Sequence, residues 1–308
     1  MTTGEVLDRT FNLYRNNFVL FAGISALAAV FLVACTALLL VLGLNAPAPG
    51  ARVDPQYMQT VFIDLAIYMV VIGLFYLIGG SFAMGATIYA VSKVHLGQPV
   101  SIGESYRRVW PLLGRIINIV LSIGIRMVGV FLLIYLGMVA VGILLGLALR
   151  GGGVIAGLLL GLVVFGGIIG GYIFIARLYF KYSLAVPACV LENIKATPSL
   201  KRSTFLSKGS LGRIFLIYLL MGIIGAALSL VLQLPANLFV RSAPSVAIGW
   251  QLVGTFLAFS FSFPISTIAI CLVYYDQRVK KEAFDLQMMM DALGQPGPAQ
   301  AVSAAPIG

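Results

Sequence analysis

Six long apolar runs, near 18–44, 61–91, 116–149, 153–182, 212–240 and 245–275, alternate with short polar stretches along this 308-residue chain. A helix needs about 20 consecutive apolar residues to cross a bilayer, and every run reaches that length. The pattern predicts an all-α, polytopic integral membrane protein with six transmembrane helices. Three of the polar stretches read alike. Each is basic and amphipathic and leads straight into a pair of apolar runs: GEVLDRTFNLYRNNF (Gly4 to Phe18), SIGESYRRVWPLLGRII (Ser101 to Ile117) and PSLKRSTFLSKGSLGRIF (Pro198 to Phe215). Arg15, Arg115 and Arg213 stand at the mouths of these pairs. The expected organisation is three parallel units, each an interfacial helix followed by a hairpin of two spans. In the first stretch Leu7, Phe11, Tyr14 and Phe18 share one helical face and Asp8, Arg9 and Arg15 fall off it, the pattern of a helix lying in the membrane interface.

No polar segment is long enough for a separate soluble domain. Residues 1–293 read as one membrane domain, with interfacial helices near 4–17, 101–115, 198–211 and 276–293. The last of these is the amphipathic run YYDQRVKKEAFDLQMMMDAL. Residues 294–308, rich in Gly, Pro, Ala and Gln, are expected to be disordered. The first apolar run follows a polar stretch and is longer than the ~7–15-residue core of a signal peptide, so it reads as a span.

Composition agrees with a lipid solvent: 60% of residues are hydrophobic and 10% charged, against roughly 25% charged in soluble domains. The placement of charge sets the topology. Of 20 Lys and Arg, all but Arg52, Arg126, Arg150 and Arg241 precede the first run, lie between the second and third, fall from the end of the fourth to the start of the fifth, or follow the sixth. The positive-inside rule then puts both termini in the cytoplasm. The basic inner face is suited to anionic lipid headgroups. Its charges are spread over four segments among interfacial aromatics, which argues against nucleic acid as a partner. Cys35, Cys189 and Cys271 have no metal-ligand spacing and are expected to form no disulfide. The single histidine, His95, lies in a polar connection and reads as a surface residue. No nucleotide-binding loop, metal motif or Ser/His pairing is present, so the chain is expected to be no enzyme and to need no cofactor.

Several polar residues sit where a membrane protein pays for them. Arg126 is ten residues past Ile116 in the third run, about 15 Å at the helical rise. A charge at that depth points either to a ligand, headgroup or ion-pair role or to a side chain snorkelling to the interface. Asp64 is shallow, at the far end of the second run. Glu192 closes the run PACVLE near Lys181, Lys195 and Arg202. It suits an ion pair locking the connection between the fourth and fifth spans; a headgroup site of Arg177, Lys181, Glu192 and Arg202 is the alternative. The sixth run carries Ser260, Ser262, Pro264, Ser266 and Thr267. The hydroxyls either satisfy the carbonyl that proline frees or, as Ser262, Ser266 and Thr267, line a polar pathway. Glycines four apart in the third and fourth runs (Gly142 and Gly146; Gly153, Gly157 and Gly161; Gly166 and Gly170; Gly167 and Gly171) suit close helix packing, within a hairpin or at a homodimer face.

The opening GEVLDRTFNLYRNNF, the middle VPACVLENIKATPSLKRS and the closing YYDQRVKKEAFDLQ, in that order with six spans between them, resemble bacterial proteins labelled as the membrane domain of glycerophosphoryl diester phosphodiesterase. The resemblance runs to about Asp291. It places Arg9, Tyr14, Arg15, Pro187, Glu192, Arg202, Ser203, Tyr275, Asp276, Arg278 and Asp285 on the family's recurring positions, to which the family gives no established catalytic role. Some relatives fuse this domain to a phosphodiesterase barrel that uses two histidines and metal-binding carboxylates. This chain has one histidine and no room for a barrel, so that activity is not carried over. The resemblance implies a bacterial cytoplasmic-membrane protein. The expected role is non-enzymatic, organising lipids or envelope proteins, with a protein partner or a homo-oligomer; a transporter or channel for a small solute or lipid is the alternative.

Overall fold

A computed structural model describes residues 1–41, 55–148, 153–240 and 242–294. Every regular element among them is helical. Six helices are long and apolar enough to cross a membrane by length and composition: Phe18–Leu39, Gln59–His95, Ile102–Leu147, Gly161–Glu192, Leu211–Phe239 and Pro244–Glu282. Arg52, Arg150 and Arg241, the tail 295–308, and the side chain of Asp285 lie outside the described residues.

The chain opens with α1 (Thr3–Asn16), fixed at its start by a capping box in which the Thr2 hydroxyl accepts from the Glu5 amide and the Glu5 carboxylate accepts from the Thr2 amide. Its buried face is Val6, Thr10 and Tyr14, one step round from the predicted line. Phe11 and Phe18 are exposed. Thr10 is tolerated inside because its hydroxyl donates to the Val6 carbonyl at 2.7 Å, so no polar atom is left over. The Tyr14 hydroxyl is buried without a partner, and burial raises its pKa to about 12.

Helix α2 (Phe18–Val41) follows with a one-residue break. The second apolar run is α3 (Pro55–Phe75) and α4 (Ser81–His95), joined by a π-helical turn over Tyr76–Gly80. That turn packs around the buried Phe75 ring, which meets Phe31 at 5.8 Å and Phe259 at 5.5 Å between centroids. A Cβ on Gly79 would approach both Phe75 and Phe31 to 3.0–3.2 Å. The short α5 (Ile102–Val109), capped by Ser101 on the Glu104 amide, runs through a 3₁₀ turn at Trp110–Leu112 into α6 (Leu113–Ala148). The Tyr106 hydroxyl ties α5 to the Ile24 carbonyl of α2 at 2.7 Å.

Helix α7 (Gly153–Tyr182) returns along α6. Gly167 and Gly171 make the close approach, since a Cβ there would meet Met138 at 2.7 Å and Ile134 at 3.1 Å. Gly157, Gly161, Gly166 and Gly170 face open space, so the packed seam is shorter than the glycine spacing implies.

Two short helices, α8 (Ala185–Glu192) and α9 (Ala196–Ser207), fill the basic connection before α10 (Leu211–Phe239) and α11 (Pro244–Gly294). α8 was not expected. It is buried from Ala185 to Val190, and Asn193 ends it in the left-handed conformation at φ 52°, a position asparagine accepts readily. Ser203 of α9 secures the end of α7. Its hydroxyl donates to the Lys181 carbonyl at 2.9 Å and accepts from the Leu184 amide at 3.2 Å, which satisfies backbone groups that a helix end leaves open. Ser203→Ala removes both bonds at a fully buried site. It is expected to lower stability by about 2 kcal/mol, read as earlier unfolding in detergent.

Helix α11 is the centre of the fold. Residues from Ile268 to Tyr274 are buried, and α1, α2, α4, α8, α9 and α10 all touch the helix. The 276–293 segment continues the sixth span as one 51-residue helix instead of breaking into a separate interfacial one. No Gly or Pro falls between Ile265 and Leu293, and Asp276–Lys280 and Arg278–Glu282 pair at the i,i+4 spacing that supports a continuous helix. The core gathers at the basic end; towards the opposite end, α3 and the outer halves of α6 and α7 expose apolar side chains such as Met69, Leu133, Leu144 and Leu162, as a lipid-facing surface does.

Candidate functional site

A cavity of about 430 Å³ follows the seam between α10 and α11, within the ~300–1,000 Å³ range of small-molecule sites. Three of its lining residues, Ser262, Ser266 and Thr267, are those singled out in the sixth run. The 3.6-residue period puts them on one face of α11 with Thr255, Phe259 and Phe263. Across the seam α10 contributes Tyr218, Ser229 and Gln233, while Tyr179 of α7 and Tyr76 of the π turn approach from the sides. Gly225 lets the helices close on one another, its Cβ position lying 3.5 Å from the Ser262 Cβ.

The hydroxyls are not all committed. Thr267 donates to the Phe263 carbonyl at 3.0 Å and Ser260, outside the groove, to Phe256 at 2.7 Å. Those bonds bypass the Ser260 carbonyl, the one that Pro264 leaves without its helical donor. The Ser262 hydroxyl is buried with no hydrogen-bond partner.

A second cavity of about 210 Å³ continues the seam, sharing Gln233 and adding Asn237 and Gln251. From Tyr218 to Asn237 the two follow α10 for roughly 28 Å at the helical rise, close to the ~30 Å of a bilayer core. Tyrosine apart, no ionisable side chain among the described residues lines either cavity. Trp250 closes the seam at this end by donating to the Leu232 carbonyl at 2.9 Å.

At the basic end the charges are largely engaged with each other. Arg202 donates to Glu192 at 3.0 Å and to Glu282, which also accepts from Arg278 at 2.8 Å. The Tyr274 hydroxyl donates to Glu192 as well. Burial works against the Arg202 charge, and the hydrogen bonds to Glu282 and Glu192 outweigh it, raising its pKa. Beside this network, the buried Asp276 accepts from Arg213 at 2.5 Å and the Met1 amine at 2.6 Å, and pairs with Lys280 at 2.9 Å.

Arg126 is exposed, with its guanidinium 5.4 Å from the Tyr182 ring centre and a hydrogen bond to the Ser122 carbonyl at 3.4 Å. Lys181 lies 5.5 Å from the same ring, so both cations stand at the end of α7. Arg177 is exposed on α7 and joins none of these contacts. The predicted foursome of Arg177, Lys181, Glu192 and Arg202 is thus divided: Glu192 and Arg202 pair, while Lys181 turns to Tyr182. His95 is exposed and stacks on Tyr275. Among the described residues no group of three or more His, Cys, Asp or Glu is placed to hold a metal ion.

No family model, curated protein or solved structure matches this chain. The family resemblance therefore rests on its motifs alone, and function has to be read from the groove and the basic end. Sequence reasoning missed the α10 half of the groove. Gln233 and Asn237, amides inside an otherwise apolar span, were the available signal.

Proposed function

We propose that this chain is a non-enzymatic integral membrane protein that takes a small or amphipathic molecule into the groove between α10 and α11. The observation that carries the reading is the convergence of Ser262, Ser266 and Thr267 with Ser229 and Gln233 on one cavity. Polar groups within a span are expensive, and a cavity that assembles them from two helices gives them a use. The groove follows most of a bilayer's thickness, which favours passage of the molecule, as a solute or a lipid, over passive scaffolding. We place the basic end in the cytoplasm, following the distribution of Lys and Arg. The order of a short helix before a pair of long ones, at α1, α5 and α9, supports the threefold parallel organisation and, with the sequence motifs, the membrane-domain family it resembles.

A photo-crosslinking amino acid tests the reading. Placed at Ala226 in the groove it should capture a discrete co-purifying molecule; placed at Leu230, 65% exposed on the same helix and outside the groove, it should give only a smear of bulk lipid. Gly225→Trp, which fills the space beside Ser262, should abolish the Ala226 adduct. Identical adducts at both positions, or none at Ala226, would overturn the proposal.

A second reading has its own support. Arg126 and Lys181 flank Tyr182 and Arg177 is exposed, an arrangement suited to anionic headgroups at the inner leaflet. On this reading the protein organises lipids around its basic end, and Glu192 and Arg202 serve the fold.

A further inference from the structure

We infer that the groove is built for an uncharged sugar ring, either the headgroup of a neutral glycolipid or a free sugar. The inference rests on the groove being the binding site proposed above and names what it takes.

Three features of the lining lead there. The first is the lack of charge: among the described residues, no Asp, Glu, Lys, Arg or His lines either cavity. A phosphate or an amine drawn between these helices would meet no counter-charge in a low-dielectric setting, and that is strongly unfavourable.

The second is the density of neutral hydrogen-bonding groups. The Ser229, Ser262, Ser266 and Thr255 hydroxyls and the Gln233 amide recur along the seam, and Asn237 and Gln251 extend the series. Hydroxyls and amides both donate and accept, as sugar hydroxyls do. A bare acyl chain would leave them unmet, the Ser262 hydroxyl already having no partner, and buried polar groups are rarely left so.

The third is an aromatic wall. Phe259 and Phe263 stack with centroids 4.7 Å apart, and Tyr76 continues the row 6.4 Å from Phe259. The negative face of an aromatic ring attracts the positive edge of a partner, and the C–H face of a sugar offers such an edge. Aromatic rings interleaved on α11 with hydroxyls, and facing Ser229 and Gln233 of α10, fit a ring that is apolar on its faces and polar around its rim. The second cavity, continuing through Gln233, would let that ring travel along the seam without losing hydrogen bonds.

The test uses the full chain in nanodiscs of phosphatidylcholine carrying equal amounts of glucosyl-diacylglycerol and phosphatidylglycerol, with bound lipids counted by native mass spectrometry. Radiolabelled glucose uptake into proteoliposomes is measured in parallel. Wild type, Gly225→Trp, Gln233→Leu and Ser266→Ala are compared, the last two being mild changes that keep the test valid if the tryptophan disturbs folding.

Preferential retention of the glucosyl lipid, weakened about tenfold by Gln233→Leu as for one lost buried hydrogen bond and abolished by Gly225→Trp, supports a glycolipid headgroup. Glucose uptake with the same dependence on the variants supports a free sugar. Variant-sensitive retention of phosphatidylglycerol or phosphatidylcholine in preference to the glucosyl lipid, without glucose uptake, would overturn the sugar assignment and leave the groove standing as a site. Retention and uptake that no variant alters would overturn both.

Discussion

Asp276→Ala is expected to destabilise the protein by about 3 kcal/mol, near the lower end of what breaking a buried ion pair costs. Asp276 is only 5% exposed and sits on the central helix. Arg213, at the start of α10, depends on it. Its Nη1 reaches the carboxylate at 2.5 Å, its Nη2 makes only a 3.4 Å contact to the Thr2 carbonyl, and its Nε is buried with no partner. Without the carboxylate, a largely buried guanidinium loses its counter-charge at the point where α1, α10 and α11 meet. Lys280 is half exposed and can turn to solvent, which keeps the loss from being larger. Stability is read from reversible unfolding in mixed detergent micelles. The double variant Arg213→Met with Asp276→Leu should recover most of the loss, because replacing both partners of a buried pair by apolar side chains is often neutral. An Asp276→Ala protein that unfolds within about 0.5 kcal/mol of wild type, the range of ordinary surface changes, would show that the contact carries no load.

The parts of this fold legible in the sequence are those set by composition over a long window. Twenty apolar residues in a row admit few alternatives in lipid, so all six long helices were legible, although the third begins earlier and the fourth and sixth end later than the apolar runs. Features set by packing were not legible. The π turn at Tyr76–Gly80 leaves no mark beyond the Gly79–Gly80 pair, because what shapes it is the burial of Phe75 against Phe31 and Phe259 from distant helices. The segment 185–190 belongs by sequence to a polar connection, and only the surrounding helices make it core. The protein-facing side of α1 was not legible either, because Thr10 looks polar until its hydroxyl is seen to bond to its own helix.

The candidate site divides in the same way. Hydroxyls on α11 stood out against their apolar neighbours, and the helical period was enough to group them. Their partners on α10 could not be assigned, since helices this apolar carry little signal for which face meets which neighbour. The Arg202 bridge between Glu192 and Glu282 joins residues 10 and 80 positions apart. Its near half was within reach of a sequence argument and its far half was not.

The α10–α11 seam is tightest at Gly254, and Gly254→Val is expected to cost about 3 kcal/mol, the upper range for overpacking. A Cβ at Gly254 would lie 2.9 Å from the Leu232 carbonyl oxygen, 3.5 Å from its carbon and 3.3 Å from the Gln233 Cγ. The obstacle is backbone, so no rotamer change relieves it. The same carbonyl accepts from the Trp250 indole at 2.9 Å, and moving the helices apart stretches that bond as well. Gly254→Ala already places the offending atom and should give a smaller loss in the same direction. Gly249→Val is the control: it lies on the same helix, its Cβ would meet nothing within 4 Å, and its stability should stay close to wild type. The consequence for function follows from position. Gln233, which one of these contacts would displace, lines both cavities, and Thr255 is the next residue along. Forcing the helices apart there should therefore weaken capture at Ala226 as well as lower stability. A Gly254→Val protein as stable as the Gly249→Val control would mean that α10 and α11 are not held this closely, and the continuity of the groove past Gln233 would fall with that contact.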